Sequence, residues 1–510
     1  MIFDPKIPPK GTLRDWIDFR ADTTPDVISH QFLTDDSQLT WGELREAARD
    51  VALRLTALGV AKGESVAICK PNSRNAIICL FGIFYGGFRA TPLNLAAGPA
   101  AMGHAISHSQ SRYLFLGKSQ VSNFAAALDE TDAHPCTIPA DKDILFPGSA
   151  KLPNVDLYEV SPDDHALLMY TSGTTGLPKG VVHTQSSLLA GGWTAAVAHQ
   201  LTPEDHAMCV LPFFHINGLC VTLIAPLISG GAVSIASKFS NKRFWSDCEK
   251  SEVTWFSIVP TIISHLLHSD RVPNGACKNR IRFGRSASAP LAHQTQKGFE
   301  DKFGIPIVET MGLTETAAQI LSNPLAPGVR KIGSPGIGYG NEIAILDHEQ
   351  KPVKSGIIGE LAVRGPNVLL EYLDNEKATK ATFTKEGWMR TGDLGYLDKD
   401  NYVFITGRLK ELIIKGGENI APREIDEALY CHKDVVEAAA FARPCETYGQ
   451  RVEAAVRLCK DSTTTADDLK VICEEKLGKF KTPDHIHVLR ELPKGASGKI
   501  QRLKLAEMIG

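Results

Sequence analysis

Short apolar runs alternate with longer amphipathic stretches along most of the chain. Residues 66–69, 113–116 and 166–169 have the length and composition of buried β-strands. Residues 41–58 space their apolar side chains for one face of a helix, which Gly59 ends. Strands that alternate with helices are typical of a layered α/β architecture, and we predict that class here.

The pattern becomes more strand-like after residue 338. Residues 342–346, 359–363 and 402–405 form short apolar runs separated by turn residues. We interpret this region as a distorted antiparallel barrel that precedes a second domain. In that domain Pro422 is suited to the first position of a helix, where its missing N–H has no cost.

Composition narrows the class of protein. A chain of 510 residues with 43% hydrophobic and 22% charged residues is expected to fold as a soluble protein of at least two domains. Its net charge of −3 gives no general attraction to nucleic acid. The eleven cysteines are scattered and include no C-x-x-C pair. We therefore expect reduced thiols rather than a disulfide framework or a zinc site. Since no apolar signal-peptide core and no peroxisomal tripeptide are present, we expect a cytoplasmic protein.

One apolar segment, residues 218–236, approaches the length of a membrane span. It contains Pro226 and several glycines, and the residues on either side continue the mixture of apolar and polar positions that is typical of a globular protein. We interpret it as buried strand and helix, and predict no membrane span.

The loop over residues 170–180 has the strongest chemical signal in the chain. It follows the apolar run 166–169 and combines three glycines, four serine or threonine hydroxyls and one lysine. Glycines let backbone N–H groups approach an anion, and hydroxyls and lysine add donors and charge. It is not the P-loop of ordinary NTPases, because Pro178 precedes Lys179 and Gly180 follows it. A polyphosphate site is the favoured interpretation, and a flexible connector is the alternative.

This loop and six later segments resemble the motifs of the adenylate-forming enzymes, which include acyl-CoA synthetases, luciferases and peptide-synthetase adenylation domains. The resemblance covers nearly the whole chain. The later segments follow the order of the family and are Leu-Pro-Phe-Phe-His (211–215), Met-Gly-Leu-Thr-Glu (311–315), Arg-Thr-Gly-Asp (390–393), Gly-Arg-Leu-Lys (407–410), Lys-Gly-Gly-Glu-Asn-Ile (415–420) and Pro-Lys-Gly-Ala-Ser-Gly-Lys (493–499).

The resemblance implies a domain organisation. Residues 1–409 would form a large ATP- and acid-binding domain of two α/β subdomains plus the distorted barrel. Residues 410–510 would form a small, mobile α+β domain that closes over the active site and rotates about Lys410. After rotation, the turn at Gly416 and Gly417 would close over a tunnel for the incoming thiol.

The resemblance also implies a two-step reaction. A carboxylate would attack ATP, with Mg²⁺ bound, to give an acyl adenylate and pyrophosphate, and coenzyme A would then displace AMP. The residues implied for phosphate binding are Thr171, Ser172, Gly173, Thr174, Thr175, Lys179 and Thr314, with Glu315 as the Mg²⁺ ligand. Those implied for the nucleoside are Asp393 and Arg408 at the ribose, Ser288, Ala289 and Pro290 beside adenine, and Met311 and Gly312 in the same motif. Lys499 would act in adenylation.

Several of these residues have simpler interpretations. Glu315 could be a solvated turn carboxylate, Asp393 or Arg408 a surface ion pair, and Lys499 a solvated lysine. The family usually has an aromatic residue where this chain has Met311. Methionine packs against adenine through its polarizable sulfur and does not stack as a ring does.

Only a few positions of the sequence indicate which acid is the substrate. Relatives that activate amino acids carry an aspartate after the motif phenylalanine, and this chain has His215 there, so amino acids are not expected. His215 would be either a substrate contact or a packed, gate-forming histidine. Arg285 precedes the adenine wall and could bind a second anionic group of the acid, or could pair with a nearby carboxylate.

The segment 322–334 resembles the matching segment of oxalate–CoA ligases. Those enzymes have a histidine soon after the Thr-Glu pair that helps to hold oxalate. This chain has Ala317, Ala318 and Gln319 there. The loss of that histidine, together with the gain of Arg285, favours another short dianion, such as malonate or sulfoacetate.

Other functions fit parts of the same pattern. The acid could pass to the pantetheine thiol of a separate carrier protein, or it could be a medium-chain or aromatic acid. A luciferase-like oxygenase and a non-catalytic nucleotide-binding protein are further alternatives. The partners expected are the acid, ATP and coenzyme A, with a possible homodimer.

Overall fold

The structure is a computed structural model that describes residues 3–146, 153–171, 178–495 and 500–509. Its α-helices are, in chain order, α1 (Leu13–Thr23), α2 (Trp41–Ala57), α3 (Arg74–Gly86), α4 (Pro99–Ser109), α5 (Val121–Leu128), α6 (Gln185–Ala198), α7 (Ala225–Ser229), α8 (Phe244–Lys250), α9 (Pro260–Leu267), α10 (Gly275–Arg280), α11 (His293–Phe303), α12 (Glu376–Thr382), α13 (Pro422–Leu429), α14 (Ala466–Leu477) and α15 (Arg502–Met508).

The strands of the described residues are β1 (Ile28–Phe32), β2 (Gln38–Thr40), β3 (Ser65–Cys69), β4 (Arg89–Pro92), β5 (Tyr113–Leu116), β6 (Cys136–Pro139), β7 (His165–Thr171), β8 (Lys179–Thr184), β9 (His206–Cys209), β10 (Ala232–Ile235), β11 (Trp255–Ile258), β12 (Phe283–Ser286), β13 (Ile307–Leu313), β14 (Ala318–Ser322), β15 (Ile337–Gly338), β16 (Glu342–Leu346), β17 (Gly359–Arg364), β18 (Glu371–Tyr372), β19 (Met389–Leu397), β20 (Val403–Arg408), β21 (Ile413–Lys415), β22 (Glu418–Ile420), β23 (Val435–Cys445), β24 (Gly449–Leu458) and β25 (His485–Val488).

Two large mixed sheets form the first part of the molecule. One has the order β15-β14-β13-β12-β11-β9-β10-β1-β2, and the other has the order β18-β8-β7-β4-β3-β5-β6. Their central strands are apolar and buried, as expected for parallel strands covered on both faces. The predicted multi-layer α/β fold is confirmed.

The order of parallel strands places several motifs at one edge. β12 and β13 are parallel neighbours, so the residues that follow them leave the sheet at the same side. Ser288 follows β12, and Glu315 follows β13. Carboxyl edges of parallel strands are the common location of ligand sites in open α/β sheets.

The region after residue 338 folds as an antiparallel sheet in the order β16-β17-β19-β20. This sheet corresponds to the predicted distorted barrel. An isolated bridge between Gly336 and Val403 links its β20 edge to the segment just before β15. The pairing of β19 with β20 sets Asp393 directly opposite Arg408.

The last part of the chain forms a separate small α+β unit. Its sheet has the order β22-β21-β24-β23, with β25 paired to β24, and α13 and α14 pack on it. Helix α13 begins with Pro422 at its first position, as predicted. Lys410 lies in the turn between β20 and β21, and the domain boundary at this residue stays a prediction.

The apolar segment 218–236 is buried and consists of a π-helical stretch (Asn217–Ile224), helix α7 and strand β10. Among the helices that the structure describes, none has both the length and the apolar character needed to cross a bilayer.

Candidate active site

The predicted phosphate loop connects two antiparallel strands. Thr171, the last residue of β7, pairs with Lys179, the first residue of β8, so the two ends of the loop lie side by side. Nζ of Lys179 lies 4.0 Å from the centroid of the Tyr372 ring. The predicted loop residues Ser172, Gly173, Thr174 and Thr175 lie outside the described residues.

Two histidines of α4 contact both ends of this loop. His104 Nε2 lies 3.0 Å from the carbonyl oxygen of Pro178, and His108 Nδ1 lies 2.9 Å from the hydroxyl of Tyr170. The two imidazole rings stack, with centroids 5.2 Å apart. The helix therefore supports the loop at its entry and its exit, a role that the sequence did not indicate.

The short 3₁₀ turn that follows β13 carries Thr314 and Glu315. Its backbone is held on two sides: His183 Nε2 lies 2.7 Å from the carbonyl oxygen of Thr314, and the N–H of Leu369 donates to the carbonyl oxygen of Glu315 at 2.7 Å. The hydroxyl of Tyr372 donates to Oε1 of Glu315 at 2.8 Å. The carboxylate is therefore held in place and is not a freely rotating surface group.

His183 supports this turn as a neutral imidazole. The side chain is fully buried, and burial lowers its pKa to about 4. Because the carbonyl of Thr314 can only accept, the proton lies on Nε2, and Nδ1 is left to accept from the Ser187 hydroxyl at 3.2 Å. Sequence reasoning missed His183, which is 131 residues from Thr314.

Gly312 is required where β13 turns toward β14. A Cβ atom at this position would lie 1.4 Å from the carbonyl oxygen of Ala318, which no side chain allows. Gly312 and its neighbour Met311 line the cavity between the large and small domains.

Asp393 and Arg408 contact each other across β19 and β20. Arg408 donates from Nε to Oδ1 of Asp393 at 2.6 Å and from Nη2 to Oδ2 at 3.3 Å. Both residues line the interdomain cavity, and the Asp393 side chain is nearly buried. The two predicted ribose contacts are therefore one ion pair at the cavity wall.

The rest of the predicted nucleoside wall lies in the same cavity. Ser288 has a φ of 72°, a left-handed conformation that a non-glycine residue adopts at some energetic cost. Strain of this kind is concentrated at functional sites. The predicted residues that line the cavity are Ser288, Ala289, Pro290, Met311, Gly312, Asp393 and Arg408.

His215 lies two residues before the π-helical stretch. Its N–H donates to the carbonyl oxygen of Pro212, and its carbonyl oxygen accepts from the N–H of Leu219. Its ring packs against Phe214, with centroids 4.9 Å apart. It is not among the residues that line the interdomain cavity in the described structure.

Arg285 is buried in β12, with 2% of its surface exposed. Nη1 donates to Oδ1 of Asn217 at 2.6 Å and to the hydroxyl of Ser257 at 3.0 Å, and Nε donates to Oε1 of Gln319 at 3.1 Å. Burial lowers its pKa to about 9. Among the described residues, the hydrogen-bond partners of Arg285 are two amides and a hydroxyl, and the carboxylate partner considered as an alternative is not among them.

Gln319 extends this buried group. Its Oε1 also lies 3.1 Å from Nε2 of His199, and its Nε2 is buried without a hydrogen-bond acceptor in the described structure. Burial is the main reason that the pKa of His199 is well below its ordinary value, so that imidazole is neutral. Arg285 and Gln319 thus form a buried group in which a cation has only uncharged partners.

The small domain faces the cavity with one side. Ile500 and Arg502 line it, whereas Gly416 and Gly417 do not. The N–H of Gly416 instead bonds the carbonyl oxygen of Tyr448 within the small domain. Lys499, which immediately precedes Ile500, lies outside the described residues.

Residues 17–373 match the family model described as AMP-binding enzyme, and residues 424–499 match the model described as AMP-binding enzyme C-terminal domain. The chain belongs to the AMP-binding enzyme family. The resemblance to adenylate-forming enzymes is therefore confirmed, and so is the presence of their small C-terminal domain.

Among relatives of this AMP-binding enzyme, sulfoacetate–CoA ligase of Cupriavidus necator is 42% identical over 97% of both chains. Oxalate–CoA ligase of Arabidopsis thaliana is 36% identical over 92% of this chain and 93% of its own. A solved structure of O-succinylbenzoate coenzyme A synthetase from Bacillus subtilis, in complex with ATP and magnesium ion, is 32% identical with a TM-score of 0.84, covering 96% of this chain and 98% of its own.

Proposed function

We propose that this AMP-forming acid–CoA ligase activates a short carboxylic acid that carries a second negative group. The observation that supports this acid class is the buried guanidinium of Arg285, which hydrogen-bonds only uncharged side chains. A cation buried without a carboxylate costs several kcal/mol, and an anionic ligand offsets that cost. Sulfoacetate, malonate and oxalate all have the required second anion.

A chain of polar contacts leads from the cavity to Arg285. Ser288 lines the cavity, and Nδ2 of Asn217 lies 3.4 Å from its hydroxyl. Oδ1 of the same Asn217 accepts from Arg285. We propose that the second anionic group lies beyond this wall, where the amide nitrogen of Gln319 has no acceptor. His215 is proposed to contact the acid from the side of the π-helical stretch.

ATP is proposed to occupy the cavity between the two domains. Asp393 and Arg408 would hold the ribose, and the wall formed by Ser288, Ala289, Met311 and Gly312 would enclose adenine. Thr171 and Lys179, with the loop between them, would bind the terminal phosphates, and Thr314 the α-phosphate. Backbone and hydroxyl donors that are fixed before the substrate binds stabilise charge that develops during phosphoryl chemistry.

The residues present suit Mg²⁺. Within the described residues, no group of three or more histidine, cysteine, aspartate or glutamate side chains could form a complete metal cage. Mg²⁺ is usually held by one or two carboxylates together with substrate phosphates, and Glu315 supplies one such carboxylate. Tyr372 holds its Oε1, which leaves Oε2 for the metal. The ion would neutralise phosphate charge beside Thr314.

Both half-reactions are proposed to use the same cavity. Lys499 would stabilise the attacking carboxylate in the first, and Ile500 beside it already lines the cavity. Rotation about Lys410 would then withdraw Lys499 and bring Gly416 and Gly417 to the thiol tunnel. Alternation of this kind lets one site run two reactions in sequence.

The proposal is tested with a pyrophosphate-release assay on a panel of short acids, with and without coenzyme A. We expect sulfoacetate, malonate or oxalate to exceed acetate, propionate and butyrate in kcat/KM. A preference for medium-chain or aromatic acids over every dianion would overturn the acid class. ATP binding without pyrophosphate release on any acid would overturn the ligase activity.

Arg285→Met tests the residue that supports the acid class. A charge-assisted hydrogen bond contributes roughly 1.5–3 kcal/mol, so kcat/KM for the preferred dianion should fall about ten- to a hundredfold. The KM for ATP and the activity on monoanions of similar size should change little. Arg20→Met is the matched control, because Arg20 is also buried and donates to backbone carbonyls of residues 227 and 228. Arg20→Met should lower activity on all acids by the same factor, because it lowers the stability of the protein and removes no contact to the acid.

A further inference from the structure

Tyr372 contacts two residues of opposite charge in the candidate site. Its hydroxyl donates to Oε1 of Glu315 at 2.8 Å, and the ammonium of Lys179 lies over its ring at 4.0 Å from the centroid. The side chain is 5% exposed and packs in a buried cluster with Val181 and Met389. Sequence reasoning assigned Tyr372 no role.

The location of Tyr372 is fixed by backbone contacts. Strand β18 pairs with β8, which sets Tyr372 opposite Val181, two residues after Lys179. The N–H of Tyr372 donates to the hydroxyl of Thr379 at 2.9 Å. The phenol ring is therefore held between the turn of Glu315 and the exit of the phosphate loop.

Lys179 and Glu315 form no ion pair with each other in the described structure, although Lys179 contacts the ring of Tyr372 and Glu315 contacts its hydroxyl. A direct pair would occupy the carboxylate that is proposed for the metal and the ammonium that is proposed for phosphate. The ring attracts the ammonium through its electron-rich face, and the hydroxyl donates to the carboxylate. One side chain thus makes a favourable contact with each of the two charges.

We propose that Tyr372 is a positioning residue that presets Glu315 for the divalent metal and Lys179 for the nucleotide phosphates, while it prevents the two from pairing. The inference rests on the proposed function, because it takes Glu315 as the metal ligand and Lys179 as a phosphate contact. Groups that orient a ligating carboxylate typically change metal affinity or activity ten- to a hundredfold when they are lost.

Two variants separate the two contacts. Tyr372→Phe keeps the ring under Lys179 and removes the hydroxyl that holds Glu315. Tyr372→Leu removes both. The matched control is Tyr402→Phe, because Tyr402 is also buried, carries Lys331 over its ring at 4.4 Å, donates its hydroxyl to the carbonyl oxygen of Val329, and does not line the cavity.

The measurement is Mn²⁺ binding, followed by electron paramagnetic resonance of the free ion, in the presence of α,β-methylene-ATP. Binding of the analogue without metal is measured separately by calorimetry. We expect Tyr372→Phe to weaken Mn²⁺ about ten- to a hundredfold with metal-free nucleotide binding unchanged. Tyr372→Leu should also weaken metal-free nucleotide binding about two- to thirtyfold, since Lys179 loses its contact. Tyr402→Phe should change neither.

Glu315→Gln distinguishes an error in the role of Tyr372 from an error in the metal assignment. If Glu315→Gln weakens Mn²⁺ binding and Tyr372→Phe leaves it within twofold of the parent, the role of Tyr372 is wrong and the metal assignment stands. If Glu315→Gln itself has no effect, the metal assignment is wrong, and the role of Tyr372 fails with it. Thermal unfolding checks that each variant is folded. If Tyr372→Leu does not fold, the result for Tyr372→Phe tests the proposal by itself.

Discussion

Asp393 and Arg408 face each other on adjacent strands, with Nε of Arg408 2.6 Å from Oδ1 of Asp393. The carboxylate can accept further hydrogen bonds, because two oxygens provide about four acceptor positions. Arg408 occupies part of this capacity with two hydrogen bonds, and both side chains line the cavity. The ion pair therefore orients the carboxylate toward a ligand without using all of its acceptors.

Asp393→Asn should lower kcat/KM for ATP about ten- to a hundredfold, because one charge-assisted hydrogen bond contributes roughly 1.5–3 kcal/mol. The KM for the acid should change little. Glu342→Gln is the control, since Glu342 also pairs with an arginine, Arg364, across strands of the same sheet but outside the cavity. Equal losses in the two variants, measured by steady-state kinetics, would mean that Asp393 acts only through the sheet.

Gln319→Glu should reduce the preference for dianionic acids. The new carboxylate would lie about where Oε1 now accepts from Arg285, and a buried pair would form within the protein. We expect kcat/KM for the dianion to fall roughly ten- to a hundredfold, while a monoanion of similar size changes little. The ratio of the two values is the measurement. An unchanged ratio would contradict the placement of the second anionic group.

Lys499→Ala should lose acid-dependent pyrophosphate release and keep conversion of supplied acyl adenylate plus coenzyme A to thioester. Removing one preorganised charge at a reacting centre costs on the order of 10²–10³ in rate. Lys504→Ala is the control, because Lys504 is exposed in α15, five residues further along. Equal loss of both half-reactions would show that Lys499 does not act in adenylation alone.

Lys410→Pro should have the opposite effect: it should keep adenylation and abolish thioester formation. Proline fixes φ and deletes the N–H, so the rotation about this residue would be blocked. We expect a single turnover of pyrophosphate release without thioester formation. Rapid-quench measurement of both products checks this, and normal steady-state thioester synthesis would place the hinge elsewhere.

His183 should make the protein sensitive to acid. Its folded pKa of about 4 is below the unfolded value near 6.5, so the unfolded state binds more protons between these values. The contribution of His183 to the free energy of unfolding is therefore fully present above about pH 6.5, and it is lost as the pH decreases toward 4. At pH 5 this group alone should account for about 2 kcal/mol of lost stability.

His183→Gln tests this linkage, because glutamine can still donate to the carbonyl of Thr314 and does not titrate. Unfolding of the variant should depend less on pH between 7 and 5 than that of the parent protein. The measurement is thermal unfolding at both values. An equal acid-induced shift in the two proteins would rule out His183 as a source of the sensitivity.

The sequence was sufficient for the layered α/β class, for the small C-terminal domain and for family membership. Periodicity predicted several element bounds within one or two residues: the expected helix 41–58 is observed as Trp41–Ala57, and Tyr113–Leu116 is a strand as predicted. Such features depend on residues close together in the chain, where side-chain spacing alone decides which face is buried.

For the candidate site, the sequence identified individual residues but not the contacts between them. The glycines, hydroxyls and lysine of the loop 170–180 indicated Lys179 as a phosphate contact. Glu315, Asp393 and Arg408 were identified by the resemblance of their motifs to the adenylate-forming family. The sequence did not show that Asp393 and Arg408 contact each other. It also left open whether Arg285 has a carboxylate partner, and in the described structure its partners are amides and a hydroxyl.

What the sequence by itself determined was therefore local: the elements, the motifs and the class of chemistry. The tertiary structure decided which distant residues meet. Tyr372 reaches Glu315 over 57 positions, His183 reaches Thr314 over 131, and Arg285 reaches Asn217 over 68. These contacts depend on strand order and on the close packing of buried polar groups, each of which must find a partner once water is excluded. No local spacing rule encodes that pairing, because it is set only when the sheets assemble.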